Sequence, residues 1–114
     1  MEATEREPAR RHRRFSVRVP VDYVIEGRPR SDHAVNLSAG GAYIETIDPQ
    51  PLGTRIQLRF YLVERNESLD VEGEVTWVNT GDAPLDPQTP PGMALRFDNP
   101  ISAVMLVTLM TARF

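Results

Sequence analysis

A small all-β fold, a six-stranded antiparallel β-barrel with one α-helix at its C-terminal end, is what this sequence predicts. Three observations carry the prediction. Apolar residues recur with a period of two through most of residues 16–97, as half-buried strands require. Turn-forming residues interrupt that alternation at short, regular intervals. After Asn99-Pro100 the period lengthens, and residues 101–112 contain no charged side chain. Strands and helices never alternate, which argues against a doubly wound nucleotide-binding fold. A chain of 114 residues, 40% of them hydrophobic, has room for one modest core. Closing six short strands into a barrel removes the sheet edges that so small a protein could not otherwise protect.

The elements follow in order. Residues 1–13 are polar, charged and proline-marked, and read as a flexible basic lead-in to a barrel domain spanning 14–112. Val17, Val19, Val21, Tyr23 and Ile25 then alternate with Ser16, Arg18, Pro20, Asp22 and Val24, which makes a strand ending at Glu26-Gly27. Residues 28–31 read as a turn around Pro29, residues 33–37 as a short strand, Ser38–Gly41 as a sharp turn, and residues 42–46 as the returning strand. Residues 55–63 alternate Ile56, Leu58, Phe60 and Leu62 against polar positions. In the stretch 69–78, Leu69, Val71, Gly73, Val75 and Trp77 alternate against acids and Thr76. Four of the ten prolines fall in 79–92, a long loop, and residues 93–97 form the last strand. Asn99 as N-cap and Pro100 at the first helical position predict a helix over 101–112, packing through Ile101, Val104, Met105, Leu109 and Ala112. That helix is expected to cap an open barrel end, with a homodimer or a protein partner as its alternative use.

Composition narrows the function. With no cysteine, disulfides and thiolate metal sites are excluded, and a cytoplasmic location is the expectation. The N-terminus has no signal-peptide core, and the apolar C-terminal stretch is shorter than the roughly 20 residues a membrane span needs. No membrane insertion is therefore expected. The only histidines are His12 and His33, and neither has a nucleophile or carboxylate at triad spacing. Asp70, Glu72 and Glu74 share one solvated strand face, and no glycine-rich loop opens a helix. The sequence predicts no enzyme, no catalytic residue, no metal and no cofactor.

Charge is distributed unevenly. Residues 10–18 hold five arginines and no acid; they contribute +5 and leave −8 on the rest of a chain whose total is −3. A basic edge on an acidic body points to one localised anion site rather than to a nucleic acid polymer, which needs basic and aromatic residues along a groove. Arg13, Arg14 and Arg18 form an R-R-x-x-x-R spacing, with Arg14 in the lead-in and Arg18 on the polar face of the first strand. Guanidinium groups grip phosphates bidentately, stack on planar bases and read guanine edges. Asn36, Ser38 and Gly41 make an N-x-S-x-x-G pattern at a strand end, where Asn36 and Ser38 alternate to the same face. Taken alone this is an ordinary hairpin turn, yet it also sets a donor–acceptor pair beside a tight turn.

In this order and separation, the two patterns resemble the PilZ domain family of bacterial cyclic di-GMP receptors. The resemblance covers about residues 10–112, and Gly73–Val78 and Gly92–Phe97 are similar to the family's fifth and sixth strands. It implies a six-stranded barrel with a C-terminal helix and cyclic di-GMP as ligand. Arg14 and Arg18 would grip guanine edges and phosphates, with Arg13 as a third contact. Asn36 and Ser38 would bond a guanine, and Gly41 would permit the close turn. Asn36 stands where the family often has aspartate, and an amide accepts through one oxygen where a carboxylate has two. The resemblance implies a signalling adaptor whose surface changes on binding, with a downstream protein partner in motility, polysaccharide or biofilm control. The alternative is an interaction module of the same fold that does not bind the dinucleotide.

Overall fold

The computed structural model describes residues 13–62, 66–80 and 89–111. Six strands, β1 (Phe15–Ile25), β2 (Arg28–Ser38), β3 (Gly41–Glu45), β4 (Arg55–Leu62), β5 (Glu67–Asn79) and β6 (Gly92–Phe97), precede one helix, α1 (Ala103–Thr111). The strands close into a barrel in the order β1-β2-β3-β6-β5-β4, with every neighbouring pair antiparallel. Inward positions follow the period-two alternation. Val19 and Val21 of β1, Leu58 and Phe60 of β4, Ile44 of β3 and Leu95 of β6 meet in one buried cluster. Phe60 and Phe97 pack edge to face across it, 6.3 Å between ring centres.

Four features depart from the sequence reading, each for a physical reason. Residues 28–31 are strand rather than turn. Glu26 and Gly27 both take positive φ, 51° and 78°, so the β1–β2 hairpin closes in two residues and β2 starts at Arg28. Pro29 is tolerated there because β3 pairs with β2 only from His33 onward, so its missing N–H leaves no ladder bond unmade. Trp77 does not join the core row. An irregularity between Val75 and Trp77 shifts the β5–β6 register, which turns Trp77 to the outer wall opposite Ala94 and brings Val78 against the core.

The helix begins later than Asn99-Pro100 predicts. The N–H of Ile101 donates to Ala39 O at 2.9 Å and that of Asp98 to Glu72 O at 2.9 Å, so residues 98–101 are held as an extended clasp. Ser102 is the cap instead, its Oγ accepting from the Met105 N–H at 3.1 Å. The face that α1 presents differs as well. Leu109 is buried and Met105 and Leu106 pack on the core, whereas Val104, expected on the packing face, is 76% exposed. Ala112 lies outside the described residues. Helix α1 rests against β1, beside the end of the barrel where the β2–β3 turn sits.

Candidate functional site

The outer wall of β1, β2 and β3 brings together residues that are far apart in the chain. Ser16 pairs with Asn36, Asn36 with Tyr43, Tyr43 with Ala94, and Ala94 with Trp77, so one row of outward side chains runs across five strands. At its β1 end, Arg14 Nη1 donates to Asn36 Oδ1 at 3.3 Å, across 22 residues of sequence. The arginine and asparagine patterns therefore converge on one surface. Arg14, read from sequence as part of the lead-in, sits against the wall. Arg13 lies next to it, its guanidinium carbon 5.5 Å from the centre of the Phe15 ring, within cation–π range. Residues 1–12 of the expected lead-in lie outside the described residues.

Arg18 stands on the same wall. The β1–β2 register shifts between Ser16 and Val19, a bulge that re-aims the intervening side chains. Its Nη1 lies 3.5 Å from Glu45 Oε1 on β3, and the pair is solvent-exposed, 65% and 41%. Glu45 is two positions beyond Tyr43 on its strand and faces the same way.

Ser38 has a different immediate role from the one its motif suggests. Its hydroxyl accepts from the N–H of Gly40 at 3.2 Å and of Gly41 at 3.1 Å, and donates weakly to Gly41 O at 3.4 Å. The side chain is buried and builds the β2–β3 turn. Gly41 is required by packing: a Cβ there would strike the carbonyl oxygen of Leu95, so glycine lets β3 close onto β6. Its place in the motif is explained without a ligand.

Two residues that the sequence reading assigned no role complete the wall. Tyr43 and Trp77 lie 5.9 Å apart at 47°, on either side of Ala94. Tyr43 Oη donates to Pro90 O at 2.5 Å, and buried Asn79 donates through Nδ2 to Thr89 O at 3.0 Å and Pro90 O at 3.3 Å, which ties the start of the last strand to this face. The β5 register shift that exposes Trp77 leaves no signature in a single sequence. Among the described residues no cluster of ligating side chains could hold a metal, and no helix is long and apolar enough to cross a membrane.

Three comparisons place this arrangement. A family model described as PilZ domain matches residues 8–111. No curated protein sequence matches. Among solved structures, the Bacillus subtilis inhibitor of motility MotI/DgrA superposes with a TM-score of 0.64 at 22% identity, over 93% of this chain and 50% of that one. The PilZ domain of YcgR from Escherichia coli, with cyclic di-GMP, superposes with a TM-score of 0.61 at 19% identity, over 89% of this chain and 86% of that one. This chain thus spans half the length of the Bacillus protein. At these identities both likenesses show the fold.

Proposed function

The chain belongs to the PilZ domain family, and from that premise we propose that it is a receptor for cyclic di-GMP, held on the outer wall of β1–β3. One observation carries the reading: Arg14 and Asn36, one from each motif, meet at 3.3 Å on a surface that Arg13 and Arg18 also border. Arg14 and Arg18 take the phosphates and guanine edges, with Arg13 as a further contact. With its Oδ1 turned to Arg14, Asn36 offers Nδ2–H to an acceptor on guanine. Ser38 holds the turn that carries Asn36, and its hydroxyl proton, weakly used by Gly41 O, can turn to the ligand. Trp77, partly exposed beside Tyr43, supplies a flat face on which a base can stack. That the solved E. coli relative holds cyclic di-GMP supports the choice of ligand.

A receptor of this kind acts without a catalytic step. Ligand draws the basic lead-in over the β1–β3 wall, and the altered surface engages a downstream protein in motility or related surface behaviour. The resemblance to an inhibitor of motility supports that direction. Calorimetric titration with cyclic di-GMP is the test, beside Arg14→Ala, Ser38→Ala and a single-stranded RNA control. Saturable binding of order micromolar or tighter, lost in both variants and absent with RNA, is the expected result. Hydrogen exchange over residues 7–18 should slow on addition of ligand; unchanged exchange there removes the lead-in from the mechanism.

A further inference from the structure

We infer that Glu45 competes with the ligand's phosphates for the guanidinium of Arg18, and so sets the concentration of dinucleotide at which this receptor responds. The inference rests on the receptor reading above and adds to it a residue that belongs to neither motif. Arg14 donates to the amide oxygen of Asn36. Arg18 holds a carboxylate, with Nη1 3.5 Å from Glu45 Oε1. A phosphate arriving at Arg18 must break that pair, and it meets a fixed negative charge on the same wall.

The geometry makes Glu45 a weak competitor rather than a barrier. The contact is single and long, and both side chains are well exposed, 65% for Arg18 and 41% for Glu45. Exposed pairs of this kind hold weakly, whereas each phosphodiester of the ligand presents two non-bridging oxygens that share the charge and can accept bidentately. Glu45 is fixed in the strand pairing, opposite His33 on β2 and Gly92 on β6, so its charge cannot leave the wall when Arg18 does. The consequence is graded: the ligand wins, at a threshold raised by the carboxylate.

Titration of the full chain with cyclic di-GMP at fixed ionic strength, by calorimetry and stopped flow, tests this. Glu45→Gln keeps the shape and removes the charge. It is expected to tighten binding roughly two- to tenfold, with part of the gain in the association rate. Glu72→Gln removes the same charge from β5, beyond β6 from Glu45 in the barrel order, and is expected to change affinity less than about twofold. In an Arg18→Ala background, Glu45→Gln should lose most of its effect. Unaltered affinity in Glu45→Gln, or an equal gain with and without Arg18, overturns the inference while leaving the receptor reading intact. Absence of saturable binding by the wild-type chain overturns both.

Discussion

Two walls of this barrel carry arginines, and they use them differently. On β4 and β5, Arg59 meets Asp70 through two contacts, Nε at 2.8 Å and Nη2 at 3.1 Å, and Arg55 Nη2 bonds the carboxylate of Asp98. Arg59 holds the Asp70 carboxyl below the usual carboxylate range, and the guanidinium pKa values of Arg55 and Arg59 rise through the same bonds. Across the barrel, on β1–β3, Arg14 donates to an amide, Arg13 lies over a phenyl ring, and Arg18 reaches a carboxylate at 3.5 Å through one nitrogen. Arginine content is therefore not what marks the site. The doubly bonded Arg59–Asp70 pair leaves less guanidinium valence to an incoming anion than the single long contact of Arg18 with Glu45.

The largest effect that could break this contrast is on ligand binding. Arg14→Ala should weaken cyclic di-GMP binding by roughly 30-fold or more, about 2 kcal/mol, since it strips a charge-assisted contact from the site. Arg59→Ala, which removes the same residue type from the other wall, should leave affinity within about twofold. Comparable losses from both would mean that overall charge, not the assembled site, governs binding.

The barrel and its alternation are legible in the sequence, whereas the ion pairing of the two walls is not, and the unread part has definite causes. The inward rows of β1 and β4 follow period two because one face of each is buried, whereas the resemblance implies one ligand for both motifs without predicting the Arg14–Asn36 contact. Pro29 concealed the first turn of β2, since a proline in sequence signals a break whether or not its missing N–H faces a partner. Trp77 was misplaced because a one-residue bulge inverts the faces beyond it, and no local pattern announces the slip. Asn99-Pro100 carries the more conspicuous start signal in sequence, whereas Ser102 caps the helix. The clasp that keeps 98–101 extended depends on Ala39 O, more than sixty positions earlier. Ser38 and Gly41 have packing roles in the β2–β3 turn that the motif does not reveal.

Gly41 sharpens the comparison further, because Gly73 is its counterpart on the opposite flank of β6. A Cβ on Gly41 would strike Leu95 O, and one on Gly73 would come within 2.5 Å of Arg96 O. Both obstacles are backbone, which cannot rotate aside. Gly41→Ala and Gly73→Ala should each destabilise the fold by about 1–3 kcal/mol, read as a drop in the denaturation midpoint. A Gly41→Ala protein that is fully stable yet binds no ligand would assign this glycine to the site instead.

Inside the barrel, toward the far end of β1–β2, a partly buried pair behaves differently from the surface ones. There Tyr23 Oη donates to Asp32 at 2.7 Å. Burial, followed by that bond, pushes the phenol up to about 12 from its ordinary 10.0. The folded state thus keeps a proton that the unfolded chain releases near pH 10, so stability is fully present below pH 10 and declines as the pH rises to 12. The full decline should amount to roughly 3 kcal/mol. Tyr23→Phe should cost about 1 kcal/mol at neutral pH and abolish this alkaline slope, with ligand binding untouched.

The smallest expected effect tests the finished wall itself. Asp70 ionises more readily in the fold than in the unfolded chain, because Arg59 bonds its charged form. Its contribution is therefore present above the ordinary carboxylate range and is lost as the pH falls through the lowered folded value. Both partners are exposed, 52% for Arg59 and 39% for Asp70, so solvent screens the pair. Asp70→Asn at neutral pH should accordingly shift the melting temperature by no more than a few degrees, and by less still in high salt. A large shift would mean that the β4–β5 pairs act as one cooperative network through Glu72 and Glu74, whose charges also act on Arg55. The two walls would then differ in what holds the barrel together, and not only in what each leaves open to an anion.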